Sequence, residues 1–419
     1  MDEVFVVGTA CTAFGRAPDR SFKDLAHEVV ADALADAALP AAEHPGTIWF
    51  ANCLGSLWGQ SMILGQVALQ PSMQSGLLPG QVPVTNVESA CASGSKAFLG
   101  AVRDVALGLA DFSLALGVEK LVRPDGNEAA IAAMAEAYDR FDPASWQDEH
   151  SRRAAAAGCA YAPAAGHAVT MDTYAVMARE HMARYGTTVA QIAAAAAKNH
   201  NHGAANPRAQ YRFTMTAEDV LTDRMVMPPL TRAMCAPIGD GAAAALVCTA
   251  RGLGRLPPEA RARAVRLRGF GEASGRFRTA DEAAVTALAA RRAYAMAGLA
   301  PGDVDIVELH DAAAVAEIIE LENLGLFAAG EAAAAVAQGA TGLHGRLPVN
   351  LSGGLVSKGH PVGATGLSML FETCLQLRGE AGPRQAATAE IGLVENGGGI
   401  LGMEAAACAV TLLQAPAGR

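Results

Sequence analysis

The chain of 419 residues is long enough to bury a large core and to form two domains of ordinary size. Its formal net charge is −10 and no cluster of Lys and Arg stands out, which argues against nucleic acid and anionic membrane surfaces as partners. Hydrophobic residues make up 51% of the composition but aromatic residues only 5%, so we expect helix-rich layers packed through small side chains.

The eight cysteines are scattered and form no CxxC pair, which argues against a disulfide scaffold and against a zinc ribbon. The N-terminus lacks the basic and apolar regions of a secretory signal. No uncharged run reaches the ~18 strongly apolar residues that a membrane helix needs. We therefore expect a cytoplasmic protein with no bound metal and no membrane association.

Strands and helices alternate through the first part of the chain. Three short apolar runs predict buried strands, at 4–7, 48–51 and 112–117. Apolar residues recur at helical spacing through 21–39, and Ser21 can cap that helix. The segment 55–80 is rich in Gly, Gln, Ser and Met, which predicts irregular structure near a site or a subunit contact.

Cys91 lies where a predicted strand turns into a predicted helix. The strand ends near Glu88, the helix covers about 95–110, and the small residues between them permit a tight turn. The free N–H groups and the dipole of a helix N-terminus favour the thiolate form of such a cysteine. Most lone cysteines are structural, but the Gly/Ser-rich elbow favours a nucleophile, which needs histidine partners elsewhere in the chain.

The alternation stops between about 120 and 235, where Ala-rich, Met-rich and charged stretches predict an inserted, mostly helical subdomain. We interpret His200 and His202 in this insertion as surface histidines rather than metal ligands, because no third ligand is evident. A strand at 238–249 closes the first half, and Asp240 is interpreted as a turn or hydrogen-bonding residue.

After a predicted linker at 250–262, the second half repeats the order of the first. The predicted elements are a strand at 265–269, a helix at 281–299, a strand at 304–309, a glycine-rich turn at 347–366 that enters a helix at about 362–377, a strand at 387–393, a glycine-rich turn at 395–399 and a final strand near 405–412. Two halves with matching order predict a duplicated, layered α/β architecture.

Three motifs carry a resemblance to a known family. They are Ala-Cys-Ala-Ser-Gly at 90–94, His-Asp at 310–311, and Gly-His-Pro at 359–361 within an Asn-x-Ser-Gly-Gly…Gly-Ala-Thr-Gly frame. From about Val4 to about Leu413 the chain resembles the thiolase superfamily. Within it, the chain is similar to the sterol-carrier-protein-2 type thiolases, which are acetyl-CoA acetyltransferase-like.

The resemblance implies a five-layered αβαβα fold with two halves. The N-terminal half would span 1–250 and carry the inserted loop domain at about 120–235, which in the family helps to bind coenzyme A. The C-terminal half would span 262–419. A homodimer is implied, with a tetramer as the alternative.

The resemblance also implies an acyltransferase that makes or cleaves a 3-oxoacyl-CoA through an acyl-Cys91 intermediate, with coenzyme A as part of its substrate and product. His360 and a water held near His310 would form one oxyanion hole. Backbone N–H groups of Cys91 and of a glycine in the C-terminal turn, Gly397 or Gly398, would form the second.

The chain departs from the family pattern at the acid/base cysteine. Many thiolases have a Cys-x-Gly turn where this chain reads Val-Glu-Asn-Gly-Gly-Gly at 394–399. Sterol-carrier types can instead have Cys-Phe after His-Asp, where this chain has Ala-Ala. Glu395 is the preferred replacement, because a carboxylate in a dry pocket can have its pKa raised to a useful range. Asn396 could occupy the same place and orient groups, but it could not serve as a conventional base.

Two other functions stay open at this point. A decarboxylative ketosynthase or another C-acyltransferase would need no second acid/base group. A thiolase-like subunit would act only in complex with a small OB-fold zinc protein, a kind of partner found with some sterol-carrier-type relatives. The intact nucleophile and histidines argue against an inactive subunit but not against a partner.

Overall fold

The computed structural model of the chain describes residues 3–161, 168–279 and 281–417. Eleven strands lie in these ranges: β1 Val4–Cys11, β2 Thr47–Ala51, β3 Val84–Val87, β4 Phe112–Glu119, β5 Met225–Met227, β6 Leu230–Thr231, β7 Gly241–Thr249, β8 Val265–Ser274, β9 Ile306–Glu308, β10 Ile391–Leu401 and β11 Glu404–Gln414. Nine of them form one sheet in the order β3-β2-β4-β7-β1-β8-β11-β10-β9, and β5 pairs with β6.

Helices connect the strands. The α-helices of the described ranges are α1 Phe22–Asp36, α2 Leu64–Ala68, α3 Gln70–Gln74, α4 Ser93–Ala106, α5 Glu128–Ala133, α6 Pro143–Ala156, α7 Val169–Tyr185, α8 Val189–Ala204, α9 Ala217–Thr222, α10 Ala250–Leu253, α11 Pro258–Ala262, α12 Val285–Ala297, α13 Ala314–Asn323, α14 Ala332–Ala337, α15 Gly354–Lys358 and α16 Thr365–Arg378. None of these helices combines the length and the apolar character that a membrane crossing requires.

The sheet repeats one order of strands in its two halves. In the first half β1 is antiparallel to β7, β7 is antiparallel to β4, and β2 and β3 continue in parallel. In the second half β8, β11, β10 and β9 repeat these directions, and a parallel bridge between Val307 and Val349 stands where β3 does in the first. The halves join where β1 pairs with β8. This repetition agrees with the predicted duplication.

Five layers result from the packing of helices on the two halves. The central layer contains α4 and α16, which pack against each other and against strands of both halves. The outer helix α1 covers the first half, and its N-terminus has the predicted cap, because Ser21 and Asp24 form a reciprocal capping box. The outer helices α12 and α13 cover the second half. The predicted αβαβα arrangement is confirmed.

The predicted insertion is mostly helical, since α5 to α9 lie between β4 and β7. Residues 162–167 of this insertion lie outside the described residues. The interpretation of His200 and His202 as surface histidines is wrong. Both lie on α8, where His200 is buried and bonds the Ala233 carbonyl, and His202 contacts the Asn350 carbonyl. The polar sequence at 198–203 therefore includes residues that α8 turns towards the protein interior.

Two other sequence predictions need correction. The predicted linker contains the short helices α10 and α11. The predicted turn at 395–399 is part of β10, which continues to Leu401 because β11 pairs along nearly all of its length. Glycines weaken a strand but do not end it where a neighbouring strand supplies the ladder. The division of the chain near 250–262 stays a prediction.

Candidate active site

The Cys91 elbow has the predicted place in the fold. A short 3₁₀ turn, Ala90–Ala92, joins the strand β3 to the helix α4. Ala90 has a positive φ of 46°, a conformation that costs an alanine about 1 kcal/mol or more. The Ser93 hydroxyl holds this turn, because it accepts from the Ser89 N–H at 2.7 Å and donates to the Ala90 carbonyl at 2.6 Å. The strained elbow presents the thiol to a cavity.

This cavity has a volume of about 260 Å³ and is lined mainly by apolar side chains. Its apolar lining includes Leu121, Ile131, Met134, Met171, Tyr174 and Met177. Its polar and ionisable side chains include Cys91, Arg232, His310, Glu320, His360 and Glu395. Four predicted side chains, Cys91, His310, His360 and Glu395, are therefore brought together from four separate segments of the sequence.

His360 is positioned to accept the proton of Cys91. Its Nε2 atom lies 3.2 Å from the Cys91 sulfur, and its Nδ1 atom lies 2.7 Å from the hydroxyl oxygen of Thr365. The Thr365 hydroxyl donates to the Pro361 carbonyl at 3.0 Å, so its oxygen accepts from Nδ1–H. This pairing leaves Nε2 without a proton and facing the thiol.

Burial determines the protonation states of Cys91 and His360. Burial raises the pKa of the Cys91 thiol to about 12, although N–H groups of Gly399 and of Cys91 itself act in the opposite direction. Burial, with the nearby His310, holds the pKa of His360 well below its usual range. The backbone N–H groups favour the thiolate as expected, but burial outweighs them. The resting pair is a neutral thiol beside a neutral imidazole.

His310 follows β9 and faces His360, with their ring centroids 5.1 Å apart. Its backbone N–H donates to Oε2 of Glu395 at 3.0 Å. Its Nε2 atom is buried without a hydrogen-bond partner among the described residues. Burial lowers the pKa of His310 to about 4. A neutral imidazole nitrogen is thus available to a group that enters the cavity.

Glu395 and Asn396 lie on opposite faces of β10, because successive side chains of a strand alternate. Glu395 lines the cavity. Burial, followed by the charge of Glu320, raises the pKa of Glu395 to about 8. Asn396 faces the other way, where its Oδ1 accepts from the Ser95 hydroxyl at 2.9 Å.

The three glycines after Asn396 bring β10 close to the elbow. Gly397 and Gly398 line the cavity, as does Gly399. A Cβ atom on Gly398 would lie 2.3 Å from both Ala92 N and Ser89 O, so only glycine allows this approach. At Gly399 φ is 64°, and its N–H acts on the Cys91 sulfur. The N–H that reaches the sulfur therefore belongs to Gly399, one residue beyond the two predicted glycines, Gly397 and Gly398.

Asn199 in the insertion supports the turn after β9. The sequence does not predict this role. Asn199 on α8 donates to Asp311 Oδ2 and to Glu317 Oε2, both at 2.8 Å. The other oxygen of Asp311 accepts from the Leu355 N–H at 2.7 Å. Nothing local in the sequence around Asn199 indicates this role, because its partners are more than a hundred residues away.

The motif Asn-x-Ser-Gly-Gly holds β9 in place. The Asn350 side chain accepts from the Leu309 N–H at 2.9 Å, and Ser352 bonds both oxygens of Glu308. A second buried acid, Glu119 at the end of β4, accepts from the N–H groups of Cys53 and Gly363, each at 3.0 Å. These contacts fix the backbone on either side of His310 and His360. Sequence reasoning identified the motif but not its partners.

The donor atoms of Cys91, His310 and His360 all lie within 4.8 Å of one another. Such a Cys/His set is also of a type that binds soft cations. The sequence-based expectation of no metal stays a prediction.

Asp240 has the predicted hydrogen-bonding role, because its carboxylate accepts from the N–H groups of Leu121 and Val122 at 2.8 and 2.9 Å.

Comparisons with known proteins agree with this fold. The family model described as "Thiolase, N-terminal domain" matches residues 4–219, and "Thiolase C-terminal domain-like" matches residues 276–411. The chain is 37% identical to acetyl-CoA acetyltransferase of Methanothermobacter thermautotrophicus over 97% of its own length and 98% of that protein. It is 35% identical to sterol carrier protein 2 of Rattus norvegicus over 94% of its length and 70% of that protein.

Among solved structures, the chain is similar to a chain of the Ltp2-ChsH2(DUF35) aldolase. The TM-score is 0.74 with 21% sequence identity, over 99% of this chain and 98% of the other. At this identity the likeness supports the fold alone. The family matches and the full-length relatives go further: the chain belongs to the thiolase family and is a thiolase-type acyltransferase.

Proposed function

We propose that the chain makes or cleaves a 3-oxoacyl-CoA in two half-reactions through an acyl group on Cys91. One observation carries this proposal: an unprotonated imidazole nitrogen of His360 lies 3.2 Å from the Cys91 sulfur in a cavity that also contains Glu395. Nucleophile and base are within hydrogen-bond reach, as covalent catalysis requires. A decarboxylative synthase or a subunit without chemistry of its own is not needed to account for these groups.

In the first half-reaction the Cys91 thiol gives its proton to His360, and the sulfur forms a bond to the thioester carbonyl carbon. The bond from that carbon to the sulfur of coenzyme A then breaks. The departing coenzyme A thiolate takes the proton of Glu395, which is protonated at neutral pH because its pKa lies near 8. Acyl-Cys91, protonated His360 and ionised Glu395 remain.

In the second half-reaction ionised Glu395 removes the α-proton of a second acyl-CoA. The resulting enolate attacks the acyl carbon, the new carbon–carbon bond forms, and the bond to the Cys91 sulfur breaks. His360 returns its proton to that sulfur, so both groups regain their starting states. Thiolysis is the same sequence in reverse. Because Asn396 faces Ser95, Glu395 is the proposed replacement for the missing cysteine.

Each half-reaction develops negative charge on a carbonyl oxygen. We assign the N–H groups of Cys91 and Gly399 to one oxyanion, since both reach the position of the sulfur. Gly397 and Gly398 then have a steric role, because the lack of a side chain lets β10 lie close to the Cys91 elbow. The side chains of His310 and His360 are assigned to the enolate oxygen, because the Nε2 atom of His310 is otherwise unpaired among the described residues.

The lining of the cavity indicates an apolar acyl group. Methionine side chains adapt to irregular shapes, and Met134, Met171 and Met177 all contribute. Arg232 is the cation that lines this cavity within the described ranges, so we assign it to the anionic part of coenzyme A. The predicted homodimer and the small OB-fold zinc partner remain part of the proposal and rest on the resemblance. The cytoplasmic location also remains part of it and rests on the sequence patterns.

The test is the intact mass of the purified chain after mixing with a panel of acyl-CoAs and 3-oxoacyl-CoAs. A mass increase equal to one acyl group, mapped to Cys91 and discharged by free coenzyme A, is expected. Cys91→Ala should abolish it, whereas Cys235→Ala should retain it, because Cys235 lines the same cavity but donates to the Thr231 carbonyl instead of facing a histidine. No adduct with any thioester, with or without a co-expressed partner, would refute the proposal.

A further inference from the structure

A second cavity shares a wall with the active-site cavity that contains Cys91, and no step of the proposed reaction uses it. Its volume is about 520 Å³, and residues of α6, α7, α12 and α13 line it. Its apolar walls are mainly alanines, and the larger apolar side chains among them include Ile319 and Met403. Small side chains on four helices thus leave a space with largely apolar walls.

One face of α7 runs along both cavities. Met171 and Tyr174 line the active-site cavity, and His181 and Arg184 line the second cavity. Met177 lies between these two pairs and lines both. Residues three and four positions apart lie on the same side of a helix. The two cavities therefore follow each other along the axis of α7.

Two other elements pass from one cavity to the other in the same way. On α13, Ala316 lines the active-site cavity, whereas Ile319 and Asn323 line the second cavity. Ala405 on β11 lines the active-site cavity, and Met403, in the turn just before β11, lines the second cavity. Three separate elements therefore make the second cavity a continuation of the first.

Met177 is the boundary between the two cavities. Within the described residues it is the only one that lines both of them. It packs beside Met403 in a small apolar cluster with Ala154 and Val176. A methionine side chain is unbranched and has three rotatable bonds, so it adapts its shape to its surroundings. The residue that separates the two spaces is thus one that readily changes its shape.

The charged side chains that line the second cavity already have partners. Among the arginines, Arg153 donates to Glu180 at 2.7 Å, Arg184 lies 3.2 Å from Asp281, and Arg278 lies 2.6 Å from Glu404. Among the other carboxylates, Glu282 lies 2.8 Å from Arg276, and Glu322 lies 3.2 Å from His181. A charged ligand group would lose its hydration here without gaining an unpaired ion of opposite charge. The second cavity therefore favours an uncharged ligand group.

We propose that the second cavity holds the far end of a long acyl chain carried by Cys91, that this end is uncharged, and that Met177 moves aside to admit it. This inference rests on the proposed function and names its substrate class, which is long-chain 3-oxoacyl-CoA with an uncharged chain end. The active-site cavity, of about 260 Å³, must also hold the thiol end of coenzyme A. A long chain that starts at Cys91 fills the remaining space and continues past Met177 into the larger cavity.

The direct experiment is photo-crosslinking of the acylated full chain. The long probe is the coenzyme A thioester of a tetradecanoyl group with a diazirine at its far end, and the short probe is a hexanoyl thioester with the same label. After transfer to Cys91 and irradiation, peptide mass spectrometry identifies the labelled residues. The long probe should label the second cavity, at residues such as Ile319 and Met403, and the short probe should label the active-site cavity.

Kinetics on variants test the same path. The measured quantity is the ratio of kcat/KM for 3-oxotetradecanoyl-CoA to kcat/KM for 3-oxohexanoyl-CoA. Ala287→Leu fills the second cavity from α12 and should lower this ratio about tenfold. Met177→Ala removes the boundary and should raise the ratio. Ala295→Leu is the matched control, because it makes the same substitution on the exposed side of α12 and should leave the ratio unchanged.

A terminal carboxylate tests the chain end. Its addition to 3-oxotetradecanoyl-CoA should lower kcat/KM about tenfold or more, because the arginines that line the second cavity are already paired. If Ala287→Leu does not fold, Ala183→Leu takes its place, since Ala183 is an exposed residue that lines the second cavity from α7.

Three results would each overturn the inference: crosslinks of the long probe confined to the active-site cavity, an unchanged ratio in either folded cavity variant, or equal turnover of the long substrate with and without the terminal carboxylate. Failure of the proposed function has a different signature, because neither probe would then acylate Cys91 and neither substrate would be turned over.

Discussion

The imidazole Nε2 of His360 lies 3.2 Å from the sulfur of Cys91, although 269 positions separate them in the sequence. The two residues stand before the central helices α4 and α16, which occupy equivalent places in the two halves of the sheet. Gly94 allows these helices to approach closely, since a Cβ there would lie 3.0 Å from the backbone N of Leu367 on α16. The packing of these two helices thus brings Cys91 and His360 together.

Thr365 fixes the tautomer of His360, so its removal should slow acylation of Cys91. Thr365→Val removes the acceptor for Nδ1–H and should reduce the rate about tenfold, the effect of one hydrogen bond of about 1.4 kcal/mol. Thr365→Ser keeps the hydroxyl and should retain most of the rate. Stopped-flow measurement of coenzyme A release in the first half-reaction distinguishes them. Equal rates in the two variants would show that the hydroxyl does not set the tautomer.

Glu395→Gln should separate the two half-reactions. Gln cannot remove an α-proton, so carbon–carbon bond formation should fall about 10²- to 10⁴-fold. The acyl-Cys91 adduct should still form, at a reduced rate. Asn396→Ala is the matched control on the opposite face of β10, and it should lower stability through loss of the Ser95 contact while the condensation step survives. The mass of the adduct and the rate of 3-oxoacyl-CoA formation are measured in parallel. If Asn396→Ala lost condensation and Glu395→Gln kept it, Asn396 rather than Glu395 would be the residue that this step needs.

Gly398→Ala should displace the nucleophile elbow. The added Cβ would lie 2.3 Å from Ala92 N, a backbone atom that cannot move independently of Cys91. A displacement of this kind should reduce acylation about 100-fold. Gly397→Ala is the control, because its Cβ would meet only side-chain atoms, the Ala405 methyl group at 3.1 Å and Oε1 of Glu395 at 3.6 Å. Initial acylation rates and circular dichroism of both variants test this, and equal rates would contradict the close approach.

Asn199→Ala should destabilise the turn that carries His310. It would leave Asp311 and Glu317 without their shared amide donor, at a cost of about 2–3 kcal/mol. Asn201→Ala, two residues away on the exposed side of α8, should cost ~0.5 kcal/mol or less. Urea unfolding followed by tryptophan fluorescence gives both values. A similar loss in the two variants would argue that α8 does not support the site.

Much of the fold follows from local sequence. Short apolar runs identified the strands β1, β2, β4 and β7, and helical spacing identified α1, α4 and α12, because both signals depend on neighbouring residues alone. The glycine-rich 395–399 segment was misassigned, since a turn and a strand supported by a partner have the same local composition. His200 and His202 were misassigned for a similar reason: burial on α8 depends on what packs against that helix.

Compact motifs in the sequence suffice to identify the family, the nucleophile elbow and the candidate residues Cys91, His310 and His360. The fact that Glu395 faces the cavity, whereas Asn396 faces away from it, depends on the folded chain, since a strand alternates faces and the sequence does not say which face is inside. The protonation of the site depends on the folded chain as well. Burial and nearby carboxylates raise the pKa values of Cys91 and Glu395, and residues such as Glu119 and Glu320 come close to these groups only when the chain folds.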